Sequence, residues 1–284
     1  MNCYASLVEI KRQLASDADA SGFTTNYDTL LLAILEAGSR LIDAYCARHF
    51  YTKEETRYFD GAGGLLLLDD VLSISSFKID DDDDGTYEET LTATTDYLLY
   101  PLNGYPKLRA EISTDTDRDY SDFAKGMKNG VEIVGVWGYG DGESATPYED
   151  SGDSVQDDSG INSTVTTVTV TDADNFAPGQ TIRIESEQCY IQSYNTTANT
   201  LTVKRGVNGT TAASHDKDTT IYIYQYPDLI KQACIIQAMR WYKRKESAFQ
   251  DVVGNAELGQ TIVYKSLDPD VRLIINSLRK VVIV

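Results

Sequence analysis

The spacing of the apolar residues changes twice along the chain, and that change limits the architectures open to it. Tyr27, Leu30, Leu31, Ile34, Gly38, Leu41, Ile42 and Tyr45 recur every three or four positions, which predicts an amphipathic helix ending near His49. Gly38 on its apolar face allows another backbone to approach closely. A shorter helix precedes it: Ser6 and Glu9 form a capping box, and Leu7, Ile10 and Leu14 share one face. The helical period returns at Tyr226. Pro227 suits a first helical position and Asp228 the positive end of the dipole. Leu229 to Tyr242 is apolar around most of its circumference, so this helix is expected to be buried, and Lys243-Arg244-Lys245 closes it. Asp268 and Pro269 open a last helix with Val271, Ile274, Ile275 and Leu278 on one face. The apolar residues Val281, Val282, Ile283 and Val284 follow.

Between these helices the period falls to two. Thr56–Phe59, Leu65–Leu68, Ile74–Ile79, Leu91–Thr94, Tyr97–Pro101, Leu108–Ile112 and Val131–Tyr139 read as short strands, with turns at Asp60-Gly61 and Asn103-Gly104. Residues 141–160 are rich in Gly, Ser and Asp, a composition that suits a linker. From 161 to 225, Val165, Val168, Val170, Ile182, Ile184, Leu201, Val203, Ile221 and Ile223 alternate with polar residues, as in a small all-β module. The expected fold class is therefore α+β: a helical bundle of two N-terminal and two C-terminal helices with a small antiparallel β region, plus an inserted all-β domain. The expected domains are a core over 1–140 and 226–284, a linker over 141–160 and an insert over 161–225.

Charge excludes one large class of function. Lys and Arg number 25 and Asp and Glu 44, a net charge of −19. Such a chain has no broad basic face with which to release counterions from nucleic acid. The longest apolar runs fall far short of the ~20 residues that span a bilayer, so no membrane partner is expected. Met1-Asn2-Cys3-Tyr4 has no charged start leading into an apolar stretch, so no secretory signal is expected. Cys3, Cys46, Cys189 and Cys234 are too scattered for a zinc site and read as buried, reduced thiols. With only His49 and His215, little is left for histidine-based metal or triad chemistry.

Few segments offer chemistry. Asp80, Asp81, Asp82, Asp83 and Asp84 followed by Gly85 resemble the start of a calcium loop, but the twelfth position is Leu91, and Glu88 and Glu89 miss it. The stretch reads first as a solvated acidic hairpin tip and second as a divalent-cation site. Asp115, Asp117, Asp119 and Asp122 form a second acidic loop. His215 next to Asp216 has the makings of a general base, yet no organised nucleophile lies nearby, and a turn histidine is the simpler reading. No set of acid, base and nucleophile converges, so no enzyme, cofactor or metal is expected. Tyr222, Tyr224 and Tyr226 alternate with Ile221 and Ile223 and define one face of the insert, open to a neighbour or to carbohydrate.

Several strings, in this order, resemble the phage head–tail connector (adaptor) family. "AILEAGSRLIDAYCARHF" (33–50) is similar to that family's second helix, and "GVEIVGVWGYG" (130–140) to its last strand. "YPDLIKQACIIQAMRWYKRKES" (226–247) resembles its Pro-led helix, and "LDPDVRLIINSLRKV" (267–281) its C-terminal helix. The chain departs from the family in the roughly 85 residues between the last strand and the Pro-led helix. That insert contains "NTLTVKRGVNGTTAASHDKDTTIYIY" (199–224), similar to a small β module of phage structural proteins.

The resemblance implies a virion structural protein at the neck, assembled in the bacterial cytoplasm. It implies a homo-oligomeric ring, a dodecamer, beneath the portal protein, with a stopper, tail-terminator or nozzle protein on the tail side. DNA would pass through without specific binding, kept off the wall by acidic loops such as Asp80–Asp84. Val271, Ile274, Ile275, Leu278 and Val281–Val284 would dock onto the portal or a neighbouring copy, and the insert would project outward. The alternative is a glycan-binding phage or bacterial surface adhesin that uses the tyrosines of the insert.

Overall fold

In the computed structural model, residues 2–15, 25–244, 252–255, 260–263 and 267–280 are described. The capping box forms as expected. The Ser6 N–H donates to the Glu9 carboxylate at 2.6 Å and the Glu9 N–H to the Ser6 hydroxyl at 3.3 Å, starting α1 (Leu7–Leu14). The second helix, α2 (Asp28–Cys46), stops where Ala47 turns left-handed, with φ of 53°. The third, α3 (Asp228–Arg244), buries Ile230, Ala233, Cys234, Ile235, Ala238 and Tyr242. The fourth, α4 (Pro269–Ser277), is capped by Asp268, whose carboxylate accepts the Asp270 N–H at 3.0 Å and pairs with Arg240 at 2.6 Å.

The chain divides into two units. One comprises Met1–Arg48, Tyr148–Val207 and Thr211–Val284; the other comprises His49–Pro147 and Asn208–Thr210.

In the first unit α2 packs on α3, and α3 on α1 and α4. The Ser39 hydroxyl on α2 accepts the Tyr4 N–H at 2.9 Å and lies 3.4 Å from the Cys234 thiol on α3. The same unit holds a six-stranded antiparallel sheet. Its strands are β7 (Tyr148–Ser154), β8 (Thr167–Thr169), β9 (Thr181–Ile184), β10 (Glu187–Asn195), β11 (Thr200–Lys204) and β12 (Thr220–Tyr224), in the order β7-β12-β9-β10-β11-β8. One face closes a core of Val168, Ile182, Ile184, Cys189, Ile191, Leu201 and Ile221. The other face takes the N-terminal segment: Thr181 donates to the Asn2 side chain at 3.0 Å, and Cys3 lies 3.4 Å from the Tyr190 hydroxyl.

The second unit is another six-stranded antiparallel sheet. Its strands are β1 (Lys53–Phe59), β2 (Leu65–Ile79), β3 (Glu89–Thr90), β4 (Tyr97–Tyr100), β5 (Lys107–Ile112) and β6 (Val131–Trp137). The order is β1-β6-β2-β5-β4, with β3 also on β2. Val131, Ile133 and Trp137 of β6 point into a core with Phe77, Phe123 and Tyr97. Gly135 in β6 answers to packing: a Cβ there would lie 2.4 Å from the Ser73 carbonyl oxygen. Along the free edge of β1, the Asn208 carbonyl accepts the Glu54 N–H at 2.9 Å.

This architecture corrects the expected fold class. The protein is mostly β, with two six-stranded sheets, 32% strand and 24% helix, rather than a helical bundle with a small β region. Among the described residues there are four α-helices. Most of these strands are read from the sequence; what the reading misjudges is their weight, since it treats them as a small region and an insert beside a bundle and leaves β7 in a linker. The units also fall differently from the expected domains. The helices share a unit with the supposed insert, and the first β region stands as its own unit. The supposed linker contains β7, which pairs with β12 from Tyr148–Tyr224 to Ser154–Thr220. Its Asp, Ser and Gly content suits a linker, but the ladder needs only backbone. Asp153 is buried and accepts N–H groups of Ser154, Thr171 and Asp172 at 2.6–2.8 Å. Burial raises its pKa, and those donors outweigh burial and leave it lowered.

Candidate functional site

Acidic side chains gather at one end of the sheet of the second unit. The C-terminal end of β2 leads into Asp80, which is buried, while Asp81, Asp82, Asp83 and Asp84 are exposed. The Asp80 carboxylate accepts the Asp83 N–H at 2.8 Å and the Gly85 N–H at 2.9 Å. It therefore organises the tip, and the exposed four set its charge. Glu88, set aside by spacing, joins the group. Ligand oxygens of Asp80, Asp82, Asp84 and Glu88 lie within 4.8 Å of one another. An all-oxygen set of this kind is what hard divalent cations take, although both Asp80 oxygens already serve backbone N–H groups. The 113–123 loop is tied to β3 by Tyr120, whose hydroxyl donates to Glu89 at 2.5 Å, and to Asp96, which accepts the Asp119 N–H at 2.9 Å. That bond to Glu89 and burial push the Tyr120 pKa up to about 12. Asp115, Asp117 and Asp119 stay exposed and Asp122 half-buried.

The most elaborate polar centre is not legible as one in the sequence. Glu187 at the start of β10 is fully buried. Its carboxylate accepts Arg205 at 2.7 and 2.6 Å, the Gly206 N–H at 2.9 Å and the Ala213 N–H at 3.0 Å, with the His215 Nε2 at 2.8 Å. Arg205 also donates to the carbonyls of Asn162, Val165 and Ala213. Burial raises the Glu187 pKa, but Arg205, Ala213, His215 and Gly206 together bring it down to about 2. The loop that resembles a phage β module is thus wound around one carboxylate. His215 does not pair with Asp216; its two ring nitrogens face Glu187 and, at 2.7 Å, Glu185. Cys189 donates to Glu187 at 3.3 Å, and burial and that charge raise its thiol pKa well above the ordinary range. This keeps it protonated and a poor nucleophile. All four cysteines are buried and unpaired, as their spacing indicated.

The tyrosine face of the supposed insert is largely covered. Tyr224 and Tyr226 are buried, with Tyr226 against Tyr4 at 4.8 Å, whereas Tyr222 is half-buried with Arg183 5.2 Å from its ring. This sheet packs on both faces, against its own core on one and the N-terminal segment on the other. The residues expected to dock from α4 differ in burial. Val271 and Ile275 are fully buried in their own unit, and Ile274 and Leu278 are half-buried. The exposed apolar residue of α4 is Leu273, at 75%. Val281–Val284 lie outside the described residues. Among the described residues, no helix is long and apolar enough to cross a membrane. Set against known proteins, the chain matches no family model and no curated protein.

Proposed function

We propose that the protein is a virion structural protein, a head–tail adaptor that forms a ring of twelve copies beneath the portal and joins capsid to tail. The reading rests on the order of strings that resemble the adaptor family. The observation that carries it is a segregation of charge. The segments that supply the four helices, 1–48 and 226–284, hold 13 Lys and Arg against 12 Asp and Glu. Residues 49–225, which supply both six-stranded sheets, hold 12 against 32.

That division suits the task. Subunits of a ring meet best through a surface whose charge is balanced, because like-charged copies repel elsewhere. DNA that has to slide meets least resistance at a wall that offers phosphates no cations. The exposed carboxylates of Asp81–Asp84 and the 115–119 loop provide such a wall. The tail-side partner is a stopper, tail-terminator or nozzle protein. The buried Tyr224 and Tyr226 give the glycan-binding alternative no support.

Electron-microscope class averages of the purified protein, alone and mixed with portal rings, test the proposal. A second ring stacked coaxially on the portal is expected. A mixture in which the protein stays off the portal, together with its absence from purified virions, overturns it.

A further inference from the structure

The chain contains three Asn-Gly pairs, Asn103-Gly104, Asn129-Gly130 and Asn208-Gly209. Such a pair is able to close on itself, because glycine has no side chain to keep its backbone nitrogen away from the asparagine Cγ. Whether the nitrogen gets there depends on what holds the pair. Asn129 is left-handed, with φ of 55°; its side-chain amide donates to the Tyr87 hydroxyl at 2.7 Å and its N–H to Asp60 at 3.0 Å. Asn208 is left-handed too, with φ of 58°, and its carbonyl accepts the Glu54 N–H at 2.9 Å. Gly209 is pressed so closely on β1 that a Cβ there would lie 2.0 Å from the Glu54 carbonyl oxygen. Both pairs must give up such contacts before they rearrange. Asn103-Gly104 has none to give up. It lies in the loop between β4 and β5, Asn103 is exposed, and among the described residues none forms a hydrogen bond with Asn103 or Gly104. The loop is fastened on either side of the pair instead. The buried Lys107 donates from Nζ to the carbonyls of Pro101 at 2.7 Å and Leu102 at 3.0 Å, and lies 4.4 Å from the centre of the Tyr105 ring.

We propose that Asn103 is a self-modification site, at which the chain converts its own side-chain amide to a carboxylate. The Gly104 N–H gives its proton to hydroxide, and the nitrogen attacks the Asn103 Cγ. A bond forms between them, the bond from Cγ to the side-chain nitrogen breaks, and that nitrogen takes up a proton and leaves as ammonia. Water then opens the five-membered imide. Opening at Cγ leaves aspartate; opening at the main-chain carbonyl leaves isoaspartate, which routes the backbone through the side chain. The net change consumes one water and releases one ammonia. Each event makes a chain of net charge −19 one unit more negative. The loop carries this chemistry whatever the protein's role, so the inference does not rest on the adaptor reading.

Peptide mapping by mass spectrometry tests it on the full, folded chain incubated at mildly alkaline pH. The mass gain of an amide-to-acid exchange, with both aspartate and isoaspartate products, is expected at Asn103 well ahead of Asn129 and Asn208, and faster as pH rises. An Asn103 that keeps its amide, or that converts no faster than the other two, overturns the proposal. Unfolded in urea, the three pairs are expected to react at similar rates. An undiminished preference for Asn103 there means that the fold does not select it, and the proposal fails. A second arm uses Gly104→Ala. Gly104 is outside the left-handed region, and a Cβ there would come no closer than 3.4 Å, to the Pro101 ring. The variant is therefore expected to melt like the parent chain. Its methyl group hinders the attacking nitrogen, so conversion at Asn103 is expected to slow severalfold; an unchanged rate rules out attack by the residue-104 nitrogen and sinks the assignment.

Discussion

Glu187 and His215 meet at 2.8 Å inside the sheet β7–β12, both buried, with Arg205 completing an ion-paired centre. Two residues 28 apart in sequence thereby fix the start and the end of one loop to one carboxylate. Taking away a single member leaves the others buried with uncompensated charge, which typically costs about 3–5 kcal/mol. Arg205→Ala and Glu187→Ala should each lower stability on that scale in urea unfolding. A double variant should cost clearly less than the sum, since each change removes the same interaction.

The same centre makes stability depend on acid. The folded pKa of Glu187 lies at about 2, below the ordinary glutamate value of 4.5. Its stabilising contribution is therefore complete above the unfolded value and is lost as pH falls from there towards 2. Melting temperatures measured across that window should fall for the parent chain. Glu187→Gln should start lower and lose less over the same interval.

Gly38 lies against Cys234 of α3, but a Cβ there would sit 3.8 Å from the Cys234 carbonyl oxygen and thiol, an ordinary contact. The site has room for a methyl group and sits in a helix interior. Gly38→Ala should raise stability by about 0.5–1 kcal/mol, read as a higher melting temperature.

Gly135 makes the opposite case. A Cβ 2.4 Å from the Ser73 carbonyl oxygen forces β2 and β6 apart. Gly135→Ala should destabilise by about 1–3 kcal/mol, with loss of near-ultraviolet signal from the buried Trp137 in the same strand.

Five consecutive aspartates should divide into one and four. Asp80→Ala removes the acceptor for two backbone N–H groups and should cost about 1–3 kcal/mol. Replacing Asp81, Asp82, Asp83 and Asp84 together by Asn should leave thermal stability within about 0.5 kcal/mol.

What is legible in the sequence is local. Ser6 with Glu9 and Asp268 with Pro269 declare helix starts within a few residues, and both caps form. The alternating residues of β6 declare its buried face. Glu187 is illegible because nothing near it in "ESEQCY" marks a buried charge. Its partners stand 18 to 28 residues away, and only the paired strands bring them in. The membership of the units is illegible for the same reason, since the bond between Thr181 and Asn2 spans 179 residues. On α4, periodicity finds the buried face of Val271 and Ile275, while Leu273 falls outside that stripe and stays exposed.

The contact between Ser39 on α2 and Cys234 on α3 joins positions 195 residues apart. A ribosome adding about 5–20 residues each second needs about 10–40 s to cover that distance. Throughout that interval the row of Leu31, Leu35, Ile42 and Cys46 on α2 lacks the α3 that packs on this helix in the finished fold. Translation order thus leaves the core of this unit incomplete until the last quarter of the chain has emerged.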